Sequence, residues 1–333
     1  MKMGGRGGSG VREHEGAALP PAVVAGRLRG RGVLSDLDLS AADVTDLLDT
    51  GARLKAMRLR HEPHPFLAGK TLGLIFQHPS TRTRNAFQAG MEQLGGHATF
   101  LGASESQMTR GETIADTAAI LSRYVDAVAA RFARHEDMAA FVAGASVPVY
   151  NALSERFHPI EALSDLLALR ERFGRLEGLK LAYLGDGNNV CHSLLVSGAT
   201  AGLHLAVAAP PEHRPDPAIV AAAQARAAVS GGKVEITDDA AAAAAGADAV
   251  YTDVHESMGE PTDDAKKAAL APYKVTEAIM AAARPGAVFM HCLPMRRGEE
   301  VDEAVADGPR SIVFEQAEHR LHMHKALLLL TLG

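Results

Sequence analysis

Short apolar runs of strand length alternate along this chain with stretches in which apolar residues recur every three or four positions. The run "TLGLIF" is followed by "STRTRNAFQAGMEQLGG", where Phe87, Met91 and Leu94 share one helical face and two glycines end the helix. Further runs are "HATFLG", "AVAARF" and "VPVYNA", and later "LKLAYLG", "LHLAVAAP", "KVEITD", "AVYTD" and "AVFMHCLP". This alternation predicts an α/β fold with two domains, each a parallel β-sheet flanked by helices.

Breaks in the pattern predict the domain boundaries. The glycine-rich start, "MKMGGRGGSG", has no periodicity, so residues 1–32 are expected to be a disordered extension. The first domain then spans residues 33–155. The helix "HPIEALSDLLALRERFG" begins the link to the second domain, residues 156–318. A closing helix in residues 319–333 is expected to pack back on the first domain.

Composition and charge restrict the function. The chain has 333 residues, 47% of them hydrophobic, which is enough for two cores. Its net charge of -6 provides no basic field for a nucleic acid or an anionic membrane, so anion binding has to be local. The longest apolar run, "ALLLLTLG", is too short to span a bilayer. Two cysteines are neither a disulfide framework nor a zinc pattern, which favours a reducing, cytoplasmic location.

The motif "STRTR" follows the first predicted strand. Ligands of open parallel sheets bind beyond the carboxyl ends of the strands, so the active site is expected there. With Ser80 as N-cap, the free N–H groups of Thr81 to Thr83 and the guanidinium of Arg82 or Arg84 can hold one phosphate. The alternative is a capped helix with solvated arginines, since Arg82 and Arg84 cannot share one helical face.

Two more strand ends carry candidate groups. Arg131 ends "AVAAR" and is either a second anion ligand or a solvated arginine. His158 precedes Pro159, a residue suited to the first helical position. Its imidazole is either a hydrogen-bonding group in the cleft or a cap for its own helix.

The motif "GDGNN" only partly matches a dinucleotide-binding loop. Gly185 and Gly187 follow a strand and open a helix, but Val190 replaces the third glycine and the next strand, "LAVAAP", ends without an acidic residue. A nicotinamide cofactor is therefore not expected. Asn188 and Asn189 are interpreted as amides offered to a polar substrate.

The last two strand ends suit an amine. Asp253 ends "AVYTD" with Ser257 and Met258 beyond it, and Cys292 follows His291 in "HCLP". The Asp253 carboxylate can bind an ammonium group, and the sulfur of Cys292 opposite it would lie near the ammonium nitrogen. Cys292 is otherwise a small buried hydrophobic residue, and His291 alone, without a second histidine at ligand spacing, does not predict a metal site.

The motifs together resemble a known family. "STRTR", "HP" followed by "ALSD", "GDGNN", "DVHESMGE", "HCLP" with "RGEEV", and "AEHRLH" occur in the order and at nearly the spacing of ornithine carbamoyltransferases, from about Leu34 to Leu332. "STRTR" marks carbamoyltransferases in general, whereas "SMG" with "HCLP" indicates the ornithine branch. The resemblance implies transfer of the carbamoyl group of carbamoyl phosphate to the side-chain amine of ornithine, giving citrulline and phosphate without metal or cofactor.

The resemblance also implies residue roles. The first domain would bind carbamoyl phosphate and the second ornithine. Family members are trimers or assemblies of trimers, and Gln107 would serve a neighbouring subunit's phosphate site. The residues expected on carbamoyl phosphate are Ser80, Thr81, Arg82, Thr83, Gln107, Arg131, His158, Glu161, Cys292, Leu293 and Arg320. Those expected on ornithine are Asn189, Asp253, Ser257 and Met258, and the expected catalytic residues are Arg131, His158, Asp253 and Cys292.

This set fits the chemistry of the implied reaction. At neutral pH roughly one alkyl amine in a thousand is unprotonated, so the site has to favour the neutral amine, and Asp253 and Cys292 are placed to do so. Donors on Thr83, Arg131 and His158 would stabilise the oxyanion formed on the carbamoyl group.

Several residues around the expected site depart from the family pattern. Glu161 stands where glutamine is usual, and it can be protonated, paired with a cation or turned toward the carbamoyl NH2. His255 replaces a tryptophan and His319 an asparagine, while Met295 and Arg296 replace a small residue and a histidine. Two alternatives stay open: a paralogue that carbamoylates another amine, and a protein that binds carbamoyl phosphate without turnover.

Overall fold

The computed structural model describes residues 26–256 and 263–333. The strands in these ranges are β1 (Thr71–Phe76), β2 (His97–Gly102), β3 (Ala127–Arg131), β4 (Val149–Leu153), β5 (Lys180–Leu184), β6 (His204–Ala208), β7 (Lys233–Thr237), β8 (Ala249–Thr252) and β9 (Val288–His291). The helices are α1 (Ala41–Leu59), α2 (Arg82–Gln93), α3 (Ile114–Leu121), α4 (His135–Gly144), α5 (Pro159–Phe173), α6 (Asn189–Thr200), α7 (Pro217–Ser230), α8 (Ala240–Ala244), α9 (Asp264–Leu270), α10 (Glu277–Ala282), α11 (Glu303–Ala306) and α12 (Val313–Leu332).

The strands form two parallel sheets, which confirms the predicted α/β fold. The first sheet has the order β2-β1-β3-β4 and the second the order β7-β6-β5-β8-β9. In the first sheet the chain changes its winding direction between β1 and β3, and in the second between β5 and β8. The loops beyond such a strand pair diverge and leave a crevice. The two crevices therefore lie beyond "STRTR" and Arg131 in one sheet, and beyond "GDGNN" and Asp253 in the other.

Helix α12 is the central packing element of the molecule. It contacts α1, α2 and α5, and also β9 of the second sheet. Leu327, Leu328 and Leu329 are at most 1% exposed, and each such leucine contributes about 2 kcal/mol through removal of apolar surface from water. The helix starts at Val313, earlier than the expected closing segment of residues 319–333.

Some short segments differ from expectation. Residues 26–32 were assigned to a disordered extension, but Leu28 is buried and the Gly30 N–H donates to the carbonyl of Thr331 at 2.8 Å. Residues 1–25 lie outside the described ranges. Helix α9 was not predicted, since Leu270 is its only buried side chain and leaves no apolar period to detect. Within the described ranges, no helix combines the length and hydrophobicity needed to cross a membrane.

Candidate active site

The loop after β1 places "STRTR" at the start of α2. Ser80 is not the N-cap that was predicted: Thr81 holds that position in a helical conformation, without a side-chain cap bond. The first helical N–H groups, those of Arg82, Thr83 and Arg84, therefore have no intrahelical acceptor and remain available to an anion. Thr81 is exposed and Ser80 half-buried.

The two arginines of this motif diverge. Arg82 extends toward the second sheet, where its Nη2 donates to the carbonyl of Leu293. Arg84 stacks its guanidinium on Phe100, 3.5 Å from the ring centroid, and donates from Nε to Gln88 at 3.2 Å. The expectation that they cannot share one face is confirmed, and Arg82 is the one that joins the cleft.

Two further arginines complete a cationic cluster beside Arg82. Arg131 at the end of β3 is 4% exposed, and its Nη1 lies 3.5 Å from Ser80 Oγ. Arg320 on α12 is 3% exposed and donates to Thr83 Oγ1. Burial, together with the charge of Arg320, lowers the pKa of Arg131 to about 10. Without an anion, burial of these like charges is therefore unfavourable in free energy, and the arginines remain charged at neutral pH.

Glu161 lies inside this cluster as an ion-pair partner. Its Oε2 is 2.8 Å from Arg320 Nη1 and 3.2 Å from His158 Nε2, and the residue is 2% exposed. Burial alone would raise the pKa of Glu161, but Arg320 and His158 outweigh it and hold that pKa at about 2. Of the three states considered for this carboxyl group, the structure has it paired with a cation.

His158 is held at the start of α5 by its backbone. It occupies the N-cap position, and Pro159 is the first helical residue as predicted. Its N–H donates to Ser193 Oγ at 2.8 Å, and the Ser193 hydroxyl in turn donates to Asp36, as does that of Ser197. Asp36 and Ser193 were missed by sequence reasoning, because nothing local links residue 36 to residue 193.

The "GDGNN" loop uses its glycines for chain packing. A Cβ on Gly187 would lie 2.2 Å from the backbone nitrogen of Pro215, so the missing side chain accommodates a neighbouring loop. Asn188 caps α6, accepting from the N–H groups of Val190 and Cys191. The amide of Asn188 therefore supports the site, whereas Asn189 donates to the Ser154 carbonyl at 2.7 Å.

Asp253 and Cys292 meet as predicted. The Cys292 thiol donates to Asp253 Oδ1 at 3.0 Å, and both residues are 7% exposed. Asp253 also accepts from Val254 N at 2.8 Å and, through Oδ2, from Asn188 Nδ2 at 2.7 Å. Burial and the Asp253 carboxylate raise the pKa of Cys292 well above its usual value, so the thiol is protonated.

His291 completes a group of three potential metal ligands with Asp253 and Cys292, all within 4.8 Å of one another. Both of its ring nitrogens have protein neighbours: Nδ1 accepts from Leu293 N at 2.8 Å and Nε2 lies 3.2 Å from Glu300 Oε1. These contacts fit a histidine that supports the "HCLP" turn, where Leu293 has φ +62°, better than a metal ligand.

Of the predicted residues, one lies apart from this cluster and two fall outside the described ranges. Gln107 starts an exposed 3-10 helix, Gln107–Arg110, and makes no hydrogen bond to the described site residues. Ser257 and Met258 lie outside the described residues. A supporting residue that was missed is Gln316, which donates to Asp165 at 2.7 Å and accepts from His291 N at 2.9 Å.

These features define a class of protein: a two-domain α/β protein with a buried cluster of arginines beyond one sheet and a carboxylate–thiol pair beyond the other. Two family models match it, "Aspartate/ornithine carbamoyltransferase, carbamoyl-P binding domain" over residues 31–171 and "Aspartate/ornithine carbamoyltransferase, Asp/Orn binding domain" over residues 177–331. The chain belongs to the aspartate/ornithine carbamoyltransferase family, which confirms the resemblance seen in its motifs.

Individual relatives agree along nearly the whole chain. The chain is 50% identical to the ornithine carbamoyltransferase of Parafrankia sp. (strain EAN1pec) over 304 residues, which are 90% of this chain and 96% of that protein. It is 45% identical to that of Thermococcus kodakarensis, over 92% and 98% of the two chains. The solved ornithine carbamoyltransferase of Pyrococcus furiosus superposes with a TM-score of 0.89 at 45% identity, covering 92% of this chain and 98% of that one.

Proposed function

We propose that this protein is an ornithine carbamoyltransferase, which transfers the carbamoyl group of carbamoyl phosphate to the side-chain amine of L-ornithine and releases L-citrulline and phosphate. Relatives with that name, 45% to 50% identical over nine tenths of the chain, support the reaction. The observation that carries it is the contact of Arg82 with the Leu293 carbonyl, since it sets the cationic cluster beside the Asp253–Cys292 pair.

The phosphate half of the proposed site holds the leaving group. Arg82, Arg131 and Arg320 contribute three positive charges and Glu161 one negative charge, a net balance suited to a dianion. The N–H groups at the start of α2 add the positive end of its dipole. We assign to carbamoyl phosphate the residues Ser80, Thr81, Arg82, Thr83, Arg131, His158, Glu161, Cys292, Leu293 and Arg320.

The amine half presents the nucleophile. Asp253 already accepts hydrogen bonds from Asn188, Cys292 and Val254, which orient its carboxylate toward one remaining partner. We assign the incoming amine to this carboxylate, with Asn189, Ser257 and Met258 on the rest of ornithine.

The proposed reaction needs no covalent enzyme intermediate. The neutral nitrogen attacks the carbamoyl carbon, the bond from that carbon to the phosphate oxygen breaks, and phosphate leaves with the electron pair and takes up the proton lost from nitrogen. Thr83 is prepared as an oxyanion donor: its oxygen accepts from Arg320, so its own hydrogen is free for the substrate.

We further propose a homotrimer, or an assembly of trimers, in the cytoplasm. Gln107 is exposed in its own subunit, which supports a role for it in a neighbour's phosphate site. Cys191 and Cys292 are both free and buried, in agreement with a reducing compartment.

An amine panel tests the proposed function. Purified protein is given carbamoyl phosphate with ornithine, lysine, putrescine or N-acetylornithine, and citrulline and phosphate are measured. Ornithine should be the preferred substrate, and Asp253→Asn should reduce turnover by at least about a hundredfold because it removes the carboxylate that binds the incoming amine and accepts its proton. Preference for another amine would favour the paralogue that His255 and Glu161 leave open, and binding without turnover would favour a non-catalytic protein.

A further inference from the structure

The outer edge of β9 continues past the point where its backbone partner turns away. Strand β9 is the edge strand of the second sheet, and its free edge pairs with the segment that leads into α12. Phe289 N donates to the carbonyl of Arg310 at 2.8 Å, and Ile312 N donates to the carbonyl of Phe289 at 3.0 Å. The chain then enters α12 at Val313. The N–H of His291, two residues along the same edge, therefore needs an acceptor from a side chain.

Gln316, near the start of α12, supplies that acceptor. Its Oε1 accepts from His291 N at 2.9 Å, and both residues are at most 1% exposed. The His291 ring in turn accepts from Leu293 N at 2.8 Å, through Nδ1. The Leu293 carbonyl accepts from Arg82, which sets this turn against the arginine cluster. One side-chain amide thus holds the strand end from which Cys292 and Leu293 reach the cleft.

Asp165 fixes which end of the Gln316 amide faces His291. The Gln316 Nε2 donates to Asp165 Oδ1 at 2.7 Å and to the hydroxyl oxygen of Tyr251 at 3.2 Å. Because both amide hydrogens have acceptors on that side, the amide oxygen has to face the His291 N–H. Burial and the nearby charge of Glu161 raise the pKa of Asp165 well above its usual value. What Asp165 contributes is therefore an acceptor oxygen rather than a charge.

Two neighbouring contacts join α5 to α12 and lead to different parts of the cleft. Asp165 lies one helical turn after Glu161, and Gln316 lies one turn before Arg320, so the two pairs are stacked along the same faces. The pair of Glu161 with Arg320, at 2.8 Å, belongs to the arginine cluster. The pair of Asp165 with Gln316, at 2.7 Å, leads to the "HCLP" turn. The same two helices therefore position the cluster and the turn relative to each other.

We propose that Gln316 is a positioning residue that holds the turn of Cys292 and Leu293 in reach of the carbamoyl group, and that Asp165 orients its amide. The inference rests on the proposed function, in which this turn belongs to the carbamoyl phosphate site. Inorganic phosphate needs only the arginine cluster and the start of α2, whereas a carbamoyl ligand also needs the turn. Gln316 therefore contributes to the distinction between a carbamoyl ligand and phosphate alone.

Calorimetry with inorganic phosphate and phosphonoacetamide separates the two contributions. Phosphonoacetamide has a methylene group in place of the bridging oxygen of carbamoyl phosphate, so it binds without turnover. Gln316→Met keeps the length of the side chain but removes its acceptor. It should weaken phosphonoacetamide binding by about tenfold and phosphate binding by less than about twofold. Equal changes for the two ligands, or failure of phosphonoacetamide to bind the unchanged protein, would overturn the inference.

Asp165→Asn and Asp165→Leu form a matched pair for the orienting role. Asparagine keeps an acceptor oxygen without a charge, and leucine keeps the size without an acceptor. The first should retain phosphonoacetamide affinity within about twofold. The second should lower it by about threefold or more, because the Gln316 amide can then turn its NH2 toward the His291 N–H. Similar losses in both variants would contradict the role of Asp165.

Thr331→Val is the control for a lost buried hydrogen bond on the same helix. Thr331 lies at the opposite end of α12, where its Oγ1 is 2.6 Å from the hydroxyl of Tyr150. The variant should lower thermal stability and leave both affinities unchanged. A loss of phosphonoacetamide affinity equal to that of Gln316→Met would show a general effect of destabilising α12 and would overturn the inference.

Hydrogen exchange provides a readout that needs no variant. Mass spectrometry with single-residue resolution should find the His291 N–H strongly protected in the unchanged protein, and at least about tenfold less protected in Gln316→Met. Exchange of this N–H as fast as in exposed loops of the unchanged protein would refute the contact even if every variant failed to fold. The expected affinities without citrulline formation by the unchanged protein would leave the inference standing and overturn the proposed function instead.

Discussion

Arg82 and Arg84 show how neighbouring residues of one motif acquire different roles. Only two positions apart, they leave α2 on different sides, and the first reaches the Leu293 carbonyl whereas the second covers Phe100. A guanidinium on an aromatic face stabilises the fold by about 0.5–1 kcal/mol but binds no ligand there. At the residue scale, therefore, both arginines have the chemistry to bind an anion, but only the direction of the Arg82 side chain brings its guanidinium into the cleft.

Substitution of these two arginines separates the roles. Arg82→Ala should weaken the use of carbamoyl phosphate by about tenfold or more, because one charge-assisted contact is worth roughly 1.5–3 kcal/mol. Arg84→Ala should change it by less than about twofold and should lower thermal stability slightly. Steady-state kinetics with varied carbamoyl phosphate measure both effects. Equal losses in the two variants would contradict the assignment of Arg82.

At the element scale, a buried joint connects three segments that the sequence keeps far apart. The 3-10 helix Asp36–Asp38 accepts hydrogen bonds from Ser193 and Ser197 of α6, and Ser193 also accepts from the His158 N–H at the start of α5. Because its hydrogen points to Asp36, the Ser193 oxygen is oriented to receive that N–H. The joint thus positions the backbone of His158 from a distance.

Ser193→Ala and Ser197→Ala form a matched pair at this joint. The first leaves the buried His158 N–H without an acceptor, a loss of about 1–3 kcal/mol, and should reduce kcat by about fivefold or more. The second removes only a bond to Asp36 and should affect kcat far less. Kinetics alongside thermal unfolding distinguish a positioning effect from a general loss of stability. A similar fall in kcat for both serines would argue against the joint.

Asp36 should also give the stability of this joint a pH dependence. Burial raises the pKa of Asp36 to about 6, against the hydrogen bonds of Ser193 and Ser197 and the charge of Arg226. Because the pKa of Asp36 is higher in the folded state than in the unfolded state, the contribution of Asp36 to stability is complete below its unfolded-state pKa. This contribution is lost as the pH rises through about 6. From pH 5 to pH 7 the free energy of unfolding should therefore fall by about 1 kcal/mol relative to Asp36→Asn. Denaturant unfolding of both proteins measures this difference, and an unchanged or rising difference would be inconsistent with a raised pKa.

At the scale of the whole molecule, the two sheets carry the two halves of the proposed active site. The first sheet presents arginines and a helix N-terminus, and the second presents Asp253 and Cys292, each beyond the strand pair where its winding reverses. Helix α12 joins them, since it packs on α1, α2 and α5 and also carries Arg320 into the cluster. Arg82 spans the cleft to Leu293.

Mixed oligomers test the proposed sharing of sites between subunits. Gln107→Ala and Arg131→Ala should each be nearly inactive alone. In trimers formed from an equal mixture of the two variants, a complete site needs Arg131 from one subunit and Gln107 from its neighbour. About a quarter of the sites should therefore regain both groups. Activity after subunit exchange, with mixed oligomers verified by native mass spectrometry, measures the recovery. Mixed trimers without recovered activity would show that Gln107 does not serve a neighbour's site.

The fold and the general position of the site could be predicted from local patterns. Continuous apolar runs indicate strands buried on both faces, and apolar residues at every third or fourth position indicate helices. Their regular alternation favours parallel sheets, so the strand ends could be located directly in the sequence. The polar residues at those ends, such as Arg131, His158, Asp253 and Cys292, were found for that reason. Helix α9 was missed because it buries too little to leave a period.

Only the tertiary structure decided which of these groups act together and in what state. Glu161 and Arg320 are separated by more than 150 positions, as are Asp36 and Ser193, and neither pairing leaves a trace in a one-dimensional pattern. The charge of a buried carboxyl group depends on the partner beside it rather than on its own sequence context. By itself the sequence determined two parallel sheets, the polar strand ends and the motifs of the family. Three-dimensional contacts decided that Arg82 rather than Arg84 enters the cleft and that Glu161 is paired with Arg320, because charge state and direction are set by neighbours that only folding brings together.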